Sequence, residues 1–157
     1  MIKHHGEHTI CQQYLEYMFC LLFIVNSWSS DTNTPPQFLI LKLERPSIVT
    51  SITFGKFEKA HVCNLKHFKV FAGEDDDNMI EVLDAGLKND TVSEHFSLRH
   101  TVNTQHFPVN YVKILPLKSH GPAFNYSVWF VSLAGDDNSA LIKQCQHWHR
   151  EHRSVMV

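Results

Sequence analysis

Several signatures are missing from these 157 residues, and each absence closes off a class of function. There is no glycine-rich phosphate loop, nucleophile elbow or zinc-protease motif. Cationic charge is not in excess either. Fourteen lysines and arginines stand against sixteen aspartates and glutamates, for a net charge of −2. Without a basic field the chain has nothing to draw nucleic acid or an anionic membrane, and neither is expected as a partner. Cysteine is sparse. Cys11, Cys20, Cys63 and Cys145 are too few and too scattered for a disulfide framework; reduced thiols are expected, with one bridge still open by count. No apolar run reaches the roughly 20 residues of a spanning helix, so membrane insertion is not expected. The longest, "YLEYMFCLLFIV" at 14–25, is interrupted by Glu16. Its weakly basic lead (Lys3, His4, His5) is like that of a signal peptide. No Ala-x-Ala site follows it, and a short buried helix or strand, or a divergent N-terminus, is the plainer reading.

What remains is an ordinary globular balance, 43% hydrophobic and 19% charged, in a length suited to one domain with a real core. From Pro35 onward the pattern has period two. Leu39, Leu41 and Leu43 share one face, with Lys42 and Glu44 on the other. The Arg45-Pro46 step reads as a turn, after which Ile48, Thr50, Ile52 and Phe54 share a face. The two runs are thus expected to be adjacent strands of a hairpin. Further short strands are expected at "HFKVFAG", "MIEVLDAG", "HFSLRH", "YVKILPL" and "SVWFVSLAG", divided by acidic or Gly/Pro-bearing turns. Short strands at this spacing, with no helix between them, predict an all-β antiparallel sandwich or barrel. At the end, Leu141, Ile142, Cys145 and Trp148 form one helical stripe behind Ser139 as N-cap, a short C-terminal helix. The organisation expected is a divergent apolar segment at 1–26, a β domain at 27–137 and a helical tail at 138–157.

Metal chemistry has one candidate, "CQHWHREH", where Cys145, His149 and His152 fall at i, i+4 and i+7 of the helix. A structural zinc wants four ligands, and the set lacks one, so a histidine-rich surface helix is expected instead. His4, His5 and His8 make no better set. The run of Glu74, Asp75, Asp76 and Asp77 lacks the alternate spacing of a calcium loop and reads as a solvated turn. The sequons at Asn89 and Asn125 matter only if the chain is secreted. No paired carboxylates or nucleophile–base set can be assembled, so no catalytic residue, cofactor or metal is expected.

Two stretches carry a particular resemblance. "GKFEKAHVCNLKHFKVF" and "GPAFNYSVWFV", within a match from about residue 27 to residue 148, resemble the amino-terminal discoidin (coagulation factor type C) domain of the muskelin family. The resemblance implies a discoidin-like jelly-roll barrel of antiparallel strands and a non-enzymatic protein-interaction module. It further implies a cytoplasmic scaffold associated with cell spreading and adhesion, cytoskeletal organisation and substrate recruitment to the CTLH ubiquitin-ligase complex. The segment 1–26 is unlike the family's first strand and ligand-face loop. The chain stops where the family continues into LisH, CTLH and kelch regions. A truncated or variant form is therefore expected, and with it a monomer that binds a protein partner.

Discoidin barrels bind through loops at one end. By this resemblance the partner-binding loops are 56–64, offering Lys56, Lys59, His61 and Asn64 as polar contacts and Phe57 as an apolar anchor, and 119–125, offering His120 and Phe124. Trp28 and Trp129 are expected in the core. The alternative function is a secreted discoidin-type binder of carbohydrate or phospholipid, to which the apolar N-terminus and the sequons would belong.

Overall fold

The computed structural model describes residues 20–25 and 27–152. The histidines at 4, 5 and 8, and the apolar run before Cys20, lie outside the described residues. Among the described residues, eleven strands and one helix follow one another: β1 (Cys20–Val25), β2 (Trp28–Ser29), β3 (Leu39–Gly55), β4 (Leu65–Gly73), β5 (Ile80–Ala85), β6 (Glu94–Ser97), β7 (Thr101–Val102), β8 (Gln105–His106), β9 (Val109–Ser119), β10 (Ser127–Val128), β11 (Phe130–Asp136) and α1 (Ser139–Glu151). The main sheet runs β1-β11-β3-β9-β4-β5, with β6 also on β3, and its neighbouring strands are antiparallel. It curls into a half-barrel with one terminal helix, the all-β class that the alternation predicts.

The curl comes from β3. The expected hairpin at Arg45-Pro46 is instead one 17-residue strand that bends and runs on. Its first part pairs with β9 (Leu39↔Ile114, Lys42↔Tyr111) and its second with β11 and β6 (Ile52↔Leu133, Ile52↔Phe96). Proline reads as a turn because it lacks an N–H. Here Pro46 sits in the break in the β3–β9 register, between Lys42 and Ser47, so the missing donor disrupts no ladder bond. No glycine or asparagine stands beside it to supply a tight reversal.

A bulge then reverses the parity of the strand. Leu39, Leu41, Leu43 and Val49 point into the main core, whereas beyond Thr50 the inward positions are Ile52 and Phe54. Thr50 is the extra residue, since Ala134 faces Ser51 but Gly135 faces Val49. The expected shared face of Ile48, Thr50, Ile52 and Phe54 is therefore wrong at its start. Ile48 lies on the opposite side of the sheet, where it packs against Ile142 and Cys145 of α1. Gly135 permits this crossing, because a Cβ there would collide with the Ile48 carbonyl oxygen.

The main core joins Phe54 and Phe68, with ring centroids 4.8 Å apart, to Val70, Val112, Ile114, Val131 and Leu133. Helix α1 is capped one residue earlier than expected. Its cap is Asn138, whose Oδ1 accepts from the Leu141 N–H at 3.0 Å, leaving Ser139 as the first helical residue. At the other terminus β1, the last six residues of the apolar run, pairs with β11 along the sheet edge. Among the described residues no helix is long and apolar enough to cross a membrane.

Candidate functional site

One end of the barrel gathers the segments that follow β3, β5 and β9. The first is 56–64, the second 86–93, the third 120–126. Backbone bonds stitch them together: His120 N–H donates to Asn64 O (3.0 Å), Gly121 N–H to Val62 O (3.1 Å), Ser127 N–H to Cys63 O (3.0 Å) and Leu87 N–H to Leu65 O (3.1 Å). The third loop can approach this closely because Gly121 has no side chain. A Cβ there would come within 2.9 Å of Val62 Cγ1. Asn33 adds a further tie, its Nδ2 donating to Ala123 O at 2.7 Å.

Of the seven residues expected to contact a partner, three turn inward. Lys56, expected as a polar contact, has a side chain only 1% exposed. Its Nζ donates to Lys88 O (2.8 Å), Asp90 Oδ1 (2.7 Å) and Glu94 Oε2 (2.7 Å). Desolvation pulls the Lys56 pKa down, but the hydrogen bonds and charges of Asp90 and Glu94 together outweigh it and hold the pKa above its ordinary value. The same ammonium, helped by the Val92 N–H, holds the Asp90 carboxyl below the usual carboxylate range. Lys56 thus fastens the first loop to the second. Asn64 is buried as well: Oδ1 accepts from Trp129 Nε1 (2.6 Å), and Nδ2 donates to Asn89 Oδ1 (3.2 Å). His120 is half-buried, with Nε2 donating to Leu87 O at 2.6 Å. These three build the platform and do not face outward.

Phe57, Lys59 and Phe124 remain exposed, and His61 is partly so. Phe124 is 93% exposed, an extreme for a phenylalanine, and Phe57 is 42% exposed. Phe57 stacks on Trp129 (centroids 4.7 Å, 30°) and His61 meets the same indole edge-on at 5.6 Å. The His61 Nδ1 accepts from the Cys63 N–H (3.1 Å), which leaves the neutral ring's proton on Nε2. Trp129, expected in the core, stands instead half-buried between β10 and β11, the centre of an aromatic group in the loops. Its neighbour Val128 takes the inward position, and that alternation is the signal by which Trp129 could have been found. Trp28 is buried in the core as expected.

The sequon asparagines serve this scaffold. Asn89 Oδ1 accepts from the His61 N–H and from Asn64, and Asn125 Oδ1 accepts from the Cys63 thiol at 3.3 Å. At the helix, the three residues of the metal candidate are each engaged elsewhere. Cys145 is buried, its thiol pKa pushed up by desolvation; His149 Nε2 donates to His106 O (2.7 Å); His152 Nδ1 donates to Trp148 O (2.8 Å). Among the described residues no group of three His, Cys, Asp or Glu is placed to hold a metal ion.

Comparison with known proteins agrees with the fold. A family model described as Muskelin N-terminus matches residues 25–157. "Mei4-dependent protein 6" of Schizosaccharomyces pombe is 40% identical over 124 residues, 73% of this chain and 18% of that protein, so the chain spans less than a fifth of that relative's length. Among solved structures, CBM32-3 from a family 31 glycoside hydrolase of Clostridium perfringens has a TM-score of 0.57 at 11% identity, covering 76% of this chain and 92% of its own. CpGH89CBM32-5 of Clostridium perfringens, in complex with GalNAc-β-1,3-galactose, has a TM-score of 0.57 at 14% identity, covering 68% and 73%. An F5/8 type C domain from Bacteroides fragilis has a TM-score of 0.54 at 14% identity, covering 71% and 74%. At such identities the likeness is one of fold, the curled antiparallel β-sheet of these discoidin-like domains.

Proposed function

Since this chain belongs to the muskelin N-terminal family, we propose that it is a non-enzymatic protein-interaction module of a muskelin-like cytoplasmic scaffold. It would engage its partner through the loop end. The observation that carries this reading is the set of exposed rings, Phe124 and the Phe57–Trp129 stack, on loops that the Lys56 ion pairs and the Asn64 bonds hold rigid. Exposed rings on a fixed scaffold are what a partner's apolar side chains can bury against. Cell adhesion, cytoskeletal organisation and recruitment to the CTLH ubiquitin ligase are the roles we propose for the scaffold. We also propose that the 157-residue chain is a monomer, because Ile142 and Cys145 of α1 are spent against Ile48.

The test is proximity cross-linking in cells with the tagged chain and with a Phe57→Ser, Phe124→Asp double variant. Partners of the native chain should be lost by the variant while its unfolding midpoint stays near native. Capture unchanged by the double substitution would overturn the loop end as the contact. Light scattering that showed a discrete dimer at micromolar concentration would overturn the monomer.

A second reading, a carbohydrate binder, is favoured by the aromatic platform itself, since sugars stack on exposed ring faces. Calorimetry with galactose separates the two. Saturable binding that Trp129→Ala abolishes would favour the sugar, with glycosylation at Asn89 or Asn125 marking the secreted form.

A further inference from the structure

The outer face of the β3–β9–β4 sheet carries side chains that the loop end does not use. On β3, Lys42 alternates with the inward Leu39, Leu41 and Leu43, and Ile40 shares its side. On β9 the outward residues are Tyr111 and Lys113, alternating with the inward Val112 and Ile114; on β4, Phe71 lies between the inward Val70 and Ala72. Register sets them side by side: Lys42 faces Tyr111, and Lys113 faces Ile40 on one flank and Phe71 on the other. The Lys113 ammonium lies over two rings, Phe71 at 5.1 Å and Phe38 at 5.8 Å, and that of Lys42 lies 5.9 Å from the Tyr111 ring centre.

The result is an aromatic floor bearing two cations. Among the described residues neither lysine is paired with a carboxylate, whereas Lys69 on the same sheet is paired with Glu81 and Asp84. Lys42 and Lys113 are diagonal neighbours across an antiparallel ladder, a relation that sets the two residues roughly 7–8 Å apart, with their Cβ atoms somewhat closer. Residues i and i+2 of an extended peptide point to one side about 6.6–6.8 Å apart, because each residue of a strand rises by half that distance. The two spacings match.

We infer that this face docks an extended acidic peptide segment, with carboxylates at i and i+2 on Lys42 and Lys113 and an apolar side chain at i−2 or i+4 on the ring of Tyr111 or Phe71. Charge complementarity selects the acidic partner. The peptide is favoured over a nucleic acid or an anionic membrane because the chain carries a net charge of −2 and two lysines do not make the extended basic field that a polyanion needs. This surface is separate from the loop end and does not depend on what the loops bind.

The experiment is fluorescence anisotropy at low ionic strength with the full chain and two labelled peptides of equal composition, TVTETETV and TVTETTEV. The first sets both glutamates and both valines on one side of an extended strand; the second moves one glutamate to the opposite side. The first should bind more tightly. A Lys42→Glu, Lys113→Glu variant should weaken it about tenfold or more, as expected from reversing two surface ion pairs. The milder Lys42→Gln, Lys113→Gln variant should weaken it in the same direction, which keeps the test valid if the reversed variant does not fold. The Phe57→Ser, Phe124→Asp variant should leave it unchanged. Equal binding of both peptides, or binding unmoved by the lysine variants, would overturn the inference. So would a 20-nucleotide oligothymidylate or phosphatidylserine vesicles binding more tightly than the peptide and losing that binding in the same variants.

Discussion

Replacing Lys56 by methionine keeps the aliphatic stem and removes the charge that fastens the first two loops at this end of the barrel. The Nζ makes three hydrogen bonds of 2.7–2.8 Å, two of them to carboxylates. Breaking a fully buried ion pair by removing one partner costs about 3–5 kcal/mol. Here the abandoned carboxylates still reach water, their side chains being 42% exposed at Asp90 and 19% at Glu94, so the expected cost is lower, about 2–3 kcal/mol. With a urea slope of about 1.5–2 kcal/mol/M, the unfolding midpoint followed by tryptophan fluorescence should fall by roughly 1–2 M. The pH dependence checks the cause. Lys56 depresses the native pKa of Asp90, so this pairing stabilises the fold fully above the ordinary carboxylate range and is lost as pH falls through the depressed value. The gap between native and Lys56→Met chains should therefore be widest near neutral pH and narrow below about pH 4. A gap absent at neutral pH, or constant on acidification, would refute Lys56 as an internal fastener and return it to the surface role that the sequence suggests.

Three further outcomes are expected. Leu41→Ala, at a site 1% exposed, should cost about 2–5 kcal/mol in urea unfolding at unchanged slope, while Lys42→Ala on the opposite face should cost under about 0.5 kcal/mol. Gly135→Ala should cost about 1–3 kcal/mol, because its Cβ would meet the Ile48 carbonyl oxygen, and altered Trp148 fluorescence before global unfolding would report α1 loosening first. In the β7–β8 hairpin both turn residues have positive φ, Asn103 at 50° and Thr104 at 65°, so Thr104→Gly should raise thermal stability by about 0.5–1 kcal/mol; a lowered melting temperature would count against strain at that turn.

Alternation along a strand is a local property, and what depends on it was legible in the sequence. The inward Leu39, Leu41 and Leu43, the all-β class and the Leu141, Ile142 and Cys145 part of the terminal stripe all follow from neighbours two to four residues apart, whereas His149 and not Trp148 completes the buried face of α1. The two loops were legible too, from their wording and their place between apolar runs. What pairs with what across long separations was not. Arg45-Pro46 reads as a turn until β9 and β11 are seen to claim successive parts of one strand, and the Thr50 bulge is visible only against its partner, Ala134-Gly135. Lys56 is a surface lysine by composition. Asp90, 34 residues away, makes it an internal fastener. Trp129 is a core residue by default, and Asn64, 65 residues away, holds it in the loop platform instead. Local sterics decide which face a side chain takes. The charge or ring that meets it there is decided by the closure of the barrel, which brings distant segments within hydrogen-bond reach.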